Sequence, residues 1–297
     1  MSNELTVVIP IYNEAAVLPQ LLPKIISYCR ERRWALILVN DGSNDETKSI
    51  LGKIPDEPDV RVFHHKVNRG YGRALKTGLE QTRTPYVVTM DGDGQHSLTD
   101  IDNLFEVILR HDADIVVGSR QALRLPNKYR QDGKRLVRVF ARMLMPISVH
   151  DLNSGFKLYR TELVQRYLYL CPDSMAFSDI ITLVFINRGN LVIEHPISIN
   201  PRLGGRSTIS VMTAFETILE ILNIAMLFNP MRIFLPVSFL SIIAGTIWGL
   251  PIILAGRGVS VGALAAIVVG AIFFCIGLIA EQLSAIRISH LDQKPMK

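Results

Sequence analysis

Cysteine is nearly absent from this chain. Cys29, Cys171 and Cys275 stand alone, without the spacing of a zinc site or the density of a disulfide framework. Isolated thiols of this kind suit a reducing compartment. Aromatic residues are sparse at 7%, and no basic tract is punctuated by them, which removes the usual nucleic-acid footprint. The net charge of +5 is spread along the sequence. It suits an anionic membrane or a phosphorylated substrate without choosing between them. Gly70-Tyr71-Gly72 lacks the third glycine of a dinucleotide-binding fingerprint and follows a third strand, which argues against a dehydrogenase. Met1-Ser2-Asn3-Glu4 lacks the basic region of a secretory leader, so the N-terminal domain is expected to stay in the cytoplasm.

What is present centres on Asp91-Gly92-Asp93-Gly94-Gln95-His96. The apolar run Tyr86–Met90 before it predicts a buried strand, and Ser97-Leu98-Thr99-Asp100 predicts the start of a helix running to about Arg110. Carboxylates at the carboxyl end of a strand lie where open α/β sheets bind ligands. Their hard oxygens suit Mg²⁺ or Mn²⁺, ions that commonly share coordination with substrate phosphates. An acidic strand-to-helix turn is the plainer alternative. An EF-hand is excluded, because His96 stands at the sixth position and a strand precedes the loop.

Strands alternate with helices along the first half. Apolar runs at 5–11, 35–39, 60–64, 86–90 and 114–118 predict five strands, with helices at 15–32, 45–54, before Thr82 and before Arg110. The fold class is therefore α/β, with a mostly parallel sheet covered by helices on both faces. Asp41 and Asp91 then share one rim. Further helices are expected at 133–146, from Thr161, and over 175–187, with an extended segment at 191–199.

Val211–Phe228 has an amphipathic pattern, as expected of a juxtamembrane or core-packed helix. Ile233–Ala255 and Ser260–Ala280 contain no charged residue, and each is long enough for the roughly 20 residues that span hydrocarbon. The short Gly256-Arg257-Gly258-Val259 link makes them an antiparallel transmembrane hairpin. Arg232, Arg287, Lys294 and Lys297 outside it outweigh Arg257 within it, predicting cytoplasmic flanks. The expected division is a catalytic domain over 1–210, a juxtamembrane helix over 211–230, and the hairpin with its tail over 231–297.

Ile9-Pro10-Ile11-Tyr12-Asn13-Glu14, Asn40-Asp41-Gly42-Ser43 and Asp91-Gly92-Asp93-Gly94-Gln95 together resemble the successive signatures of family 2 glycosyltransferases with the GT-A fold. Val117-Gly118-Ser119-Arg120, Ser154-Gly155-Phe156 and Arg202-Leu203-Gly204-Gly205-Arg206-Ser207 are similar to the polyprenyl-phosphate branch, which includes dolichyl-phosphate mannose synthases and bactoprenol glucosyltransferases. The resemblance covers about residues 5 to 210 and implies an inverting enzyme at the cell membrane. It would carry one sugar from a nucleotide donor, of the GDP-mannose or UDP-glucose type, to undecaprenyl or dolichyl phosphate.

By the same resemblance Pro10, Tyr12, Glu14, Asp41 and Asp91 would hold the donor's base, ribose or sugar, and Arg202 and Ser207 its diphosphate. Asp93 and Gln95 would ligate Mg²⁺ or Mn²⁺. Arg120, with Arg130 or Arg135, would receive the acceptor phosphate, and Asp179 would act in catalysis or orient a substrate. Glu14 has a second reading as a charge at a helix N-terminus. Thr208 stands where the branch often has lysine. The alternatives are a nucleotide-binding membrane scaffold and a transferase with another lipid or polysaccharide acceptor; self-association fits any of them.

Overall fold

A computed structural model describes residues 4–54, 57, 59–120, 149–198, 222, 225, 226 and 228–292. The described chain forms two units, a sheet unit and a helical hairpin. The expected helix at 133–146 and most of the amphipathic 211–228 stretch lie outside the described residues.

In the sheet unit the order is β1 (Leu5–Ile11), α1 (Leu18–Arg32), β2 (Ala35–Asn40), α2 (Thr47–Leu51), β3 (Val60–His64), α3 (Tyr71–Glu80), β4 (Tyr86–Thr89), α4 (Thr99–His111) and β5 (Ile115–Ser119). Then come β6 (Lys157–Arg160), α5 (Thr161–Tyr167), a single 3₁₀ turn, α6 (Phe177–Asn187) and β7 (Val192–Pro196). The seven strands lie in the order β3-β2-β1-β4-β6-β5-β7. All pair in parallel except β6, which runs antiparallel to both β4 and β5. The continuous apolar runs of β1, β2, β4 and β5 belong to strands covered on both faces, and Leu5, Val7, Leu36, Leu38, Val88 and Val116 have no exposed surface.

Some boundaries differ from the sequence pattern for local reasons. Helix α1 begins at Leu18 rather than Ala15, with Pro19 in its first turn, where no backbone N–H is needed. Helix α2 is shorter than expected because Asp45 lies outside it, accepting the N–H groups of Thr47 and Ala15. Strand β6 was not foreseen, and it matters for the site. Lys157 pairs with Thr89 of β4 and Val117 of β5, so the turn before β6 reaches the rim where β4 and β5 end.

The second unit contains α7 (Met231–Leu254) and α8 (Val261–Asp292), both long and apolar enough to cross a membrane. Glycines let the two helices approach closely. A Cβ on Gly270 would lie 2.6 Å from Ile242 Cγ1, and one on Gly277 would lie 2.8 Å from Phe234 Cβ. Small residues at the contact and large ones outward are the pattern of helices packed within lipid.

Candidate active site

The carboxyl ends of the parallel strands bring Pro10, Asp41 and Asp91 to one rim. Ile11 is in register with Asn40, and the Asp41 N–H donates to the Ile11 carbonyl at 2.9 Å. On the other side of β1, the Met90 N–H donates to Val8, so Asp91 emerges beside Pro10.

Asp91 sits in a tight polar nest. Tyr71 donates its hydroxyl to Asp91 Oδ1 at 2.8 Å, and His96 Nε2 lies 3.7 Å from Oδ2. The His96 ring stacks on Phe156, which fixes it from behind. Desolvation pushes the Asp91 pKa up, but His96, the Tyr71 hydroxyl and the Arg120 cation outweigh it, leaving the carboxyl below its ordinary range. Gly155 is required here by space: a Cβ would fall 2.5 Å from Asp91 Oδ1 and 2.7 Å from the Tyr71 hydroxyl. The Asp91 side chain remains 36% exposed. It is reachable from solvent at the rim.

Asp93 and Gln95 follow on a turn in which the Gln95 N–H donates to Asp93 Oδ1 at 3.1 Å. Gly94, at φ 74°, supplies the left-handed backbone of that turn. Among the described residues no three His, Cys, Asp or Glu side chains gather into a ready-made metal cage. Two hard oxygen donors on a half-exposed turn fit a different arrangement, a divalent ion completing its shell with diphosphate oxygens and water.

Asp41 is on the rim but turned inward. Its carboxylate accepts His65 Nδ1 at 2.6 Å and the N–H groups of Arg69 and Gly70 at 3.0 and 2.9 Å. It thereby fixes the loop leading into α3. Tyr12 is exposed and Glu14 half-buried. Their loop is laced to the one after β2: Asn13 N–H to Ser43 Oγ, Glu14 N–H to Thr47 Oγ1, and Asn44 N–H to Asn13 Oδ1.

Arg120 leaves the end of β5 and meets Asp151, a residue of the turn that β6 carries to the rim. Nε and Nη2 donate to the two Asp151 oxygens at 2.8 Å each, and Nη2 also reaches the Asn153 carbonyl. Beneath them lies Lys157, wholly buried. Its ammonium donates to the Leu152 carbonyl at 2.7 Å and to the Ser178 carbonyl. Burial pulls its pKa down to about 7, against the opposing pull of Asp179 and Asp151. Asp179, half-buried in the first turn of α6, is thus brought within electrostatic reach of Lys157 and Arg120. Arg130, Arg135, Arg202 and Ser207 lie outside the described residues.

Residues 6–168 match the model of Glycosyl transferase family 2. The chain belongs to that family. A second match, the GtrB C-terminal hairpin, covers residues 229–286 of this glycosyltransferase. An undecaprenyl-phosphate 4-deoxy-4-formamido-L-arabinose transferase of Photorhabdus laumondii is 27% identical over 304 aligned residues, covering 96% of this chain and 90% of that protein. Its counterpart in Proteus mirabilis is 28% identical, covering 96% and 89%. Glucosyl-3-phosphoglycerate synthase of Mycobacterium tuberculosis, solved with Mn²⁺, uridine diphosphate and glucosyl-3-phosphoglycerate, shares the GT-A fold. Its TM-score is 0.57 at 17% identity over 75% of this chain and 80% of that one.

Sequence reasoning on this glycosyltransferase missed Tyr71, His65, Asp151 and Lys157 as parts of the site. Asp151 and Lys157 flank the Ser154-Gly155-Phe156 signature, so proximity to a motif was their available signal. Tyr71 and His65 meet Asp91 and Asp41 only through the fold.

Proposed function

We propose that this glycosyltransferase moves a single sugar, with inversion, from a nucleoside-diphosphate donor to a polyprenyl phosphate at the cytoplasmic leaflet. The observation that carries the reading is the pairing of two features. One rim holds the Asp91–Gln95 turn and the Arg120 fork, and the same chain ends in a hairpin whose large apolar side chains face outward. The undecaprenyl-phosphate relatives support a lipid acceptor.

On this reading Tyr12, Pro10 and Glu14 line the nucleotide end, with Asp41 holding the loop beside it, and Arg202 and Ser207 meet the diphosphate. Asp91 faces the sugar. Asp93 and Gln95 would hold Mg²⁺ or Mn²⁺, and the ion would supply positive charge for a departing diphosphate. Arg120, with Arg130 or Arg135, receives the acceptor phosphate, because guanidinium forks match phosphate geometry. A phosphate oxygen then forms the bond to the anomeric carbon as the bond to the nucleoside diphosphate breaks on the opposite face. The acceptor is already ionised near neutral pH, so no strong base is needed and Asp179 orients substrate.

The test is a donor screen with purified full-length protein, Mn²⁺ and undecaprenyl phosphate. One nucleotide sugar should yield a chloroform-soluble sugar–lipid phosphate, and undecaprenol should yield none. Transfer to undecaprenol as readily as to its phosphate would overturn the acceptor class. Orientation is checked by labelling Gly258→Cys in intact cells. Labelling from outside the cytoplasm is expected, and protection there would reverse the hairpin.

A further inference from the structure

We infer that Asp151 is a positioning residue for the acceptor: it holds the Arg120 guanidinium so that its remaining edge faces an incoming phosphate. This rests on the reading of Arg120 as the acceptor's phosphate receiver.

The geometry is specific. Asp151 is buried and spends both oxygens on one residue, with Oδ2 taking the Arg120 Nε and backbone N–H and Oδ1 taking Nη2. The Asn153 carbonyl takes a further Nη2 contact. These bonds occupy the Nε–Nη2 edge of the planar fork, and among the described residues none reaches Nη1. The Arg120 side chain is still 40% exposed, so a ligand can reach it.

Asp151 is in turn fixed by the sheet. Glu194 of β7, in register with Val117 of β5, accepts the Asp151 N–H on Oε1 at 3.0 Å. Its Oε2 accepts the His150 N–H and lies 3.0 Å from His150 Nδ1. A chain of contacts therefore runs from the edge strand β7, through a buried carboxylate, to the Arg120 cation. A long arginine side chain at a cleft mouth otherwise samples many rotamers, and each must be surrendered when phosphate binds. Holding it beforehand lowers that cost. The Arg120 cation and the buried Lys157 ammonium beneath both favour ionised Asp151.

A double-mutant cycle in the full chain tests this, with farnesyl phosphate as the probe and farnesol as its uncharged control. Asp151→Asn should weaken farnesyl phosphate binding about tenfold in the native background, leaving farnesol unaffected. In the Arg120→Ala background it should add nothing, because the residue it positions is gone. A thermal melt of each variant reports whether the fold persists, and Asp151→Glu is the second carboxylate variant, expected to recover part of the affinity. Equal loss in both backgrounds, or tighter binding by Asp151→Asn, overturns the positioning role. If Arg120→Ala itself leaves farnesyl phosphate affinity unchanged, the acceptor reading of Arg120 fails first, and this inference fails with it.

Discussion

Leu38, in β2, has no exposed surface, whereas Leu240, in α7, shows 67% of its own. The same side chain is hidden in one unit and displayed in the other, because the two units face different solvents. In the sheet unit apolar residues cluster inward, and the buried charged groups Asp41, Asp151 and Lys157 are paired. The hairpin reverses this. The glycines within its helices lie at the contact and its large apolar residues face outward, as lipid permits. The paired buried charges Asp41, Asp151 and Lys157 lie in the sheet unit, and that is where chemistry is to be sought.

The largest effect that would sharpen this contrast lies at the metal turn. Asp93→Ala should lower transfer at least about a hundredfold, the scale of losing several kcal/mol of charge stabilisation at the leaving group. Its melting temperature should move little, because Asp93 is half-exposed on a surface turn rather than packed in the core. Chelation by EDTA should have the same effect and be reversed by Mn²⁺. Full turnover with EDTA present would remove the metal from the mechanism.

The buried ammonium gives the next effect. Burial pulls the Lys157 pKa down to about 7 in the folded chain, from its ordinary value of 10.5 once exposed. Between those values the unfolded chain binds more protons, so this group's contribution to stability rises with pH and is least favourable below about 7. Denaturation of the native chain and of Lys157→Met should therefore diverge from pH 7 to 10. The native chain should gain up to about 1.4 kcal/mol per pH unit relative to the variant. Parallel curves would mean that Lys157 keeps its proton throughout, held by Asp179 and Asp151.

That lysine also marks where the sequence stopped being readable. Strands β1, β2, β4 and β5 were legible because an unbroken apolar run has few other homes in an α/β chain. The hairpin was legible from the absence of charge. Strand β6 was not, since Lys157-Leu158-Tyr159-Arg160 is short and charged at both ends, and nothing local says that it runs antiparallel. Its direction carries Asp151 and Gly155 to the rim, so the partner of Arg120 was hidden with it. Asp41 was legible as a rim residue, but its engagement by His65, Arg69 and Gly70 depends on where the loop after β3 returns.

A smaller effect is expected at the hairpin's own contact. Gly270→Ala would place a methyl 2.6 Å from Ile242 Cγ1 and 2.8 Å from the Ser238 carbonyl. Overpacking of this kind costs about 1–3 kcal/mol. It should appear as earlier separation of α7 from α8 in an SDS titration. An unchanged titration would mean that the glycines are not close-packing positions.

The smallest effect is the most direct test of the two-solvent contrast, because it uses one substitution twice. Leu38→Ala removes a fully buried side chain and leaves a cavity among its neighbours, at a cost of about 2–5 kcal/mol. Leu240→Ala removes the same atoms from a surface that touches lipid tails, which are as apolar as leucine itself. No cavity forms, since lipid fills the space, and an unfolded hairpin still in the bilayer would offer that leucine a similar environment. Its cost should stay below about 0.5 kcal/mol, the range of substitutions away from packed features. Both variants are measured by denaturation of the full chain in lipid nanodiscs. If Leu240→Ala proves as costly as Leu38→Ala, that face of α7 is covered by protein in the bilayer. The exposed leucines would then belong to a contact with a second copy, and the hairpin would be an assembly surface as well as an anchor.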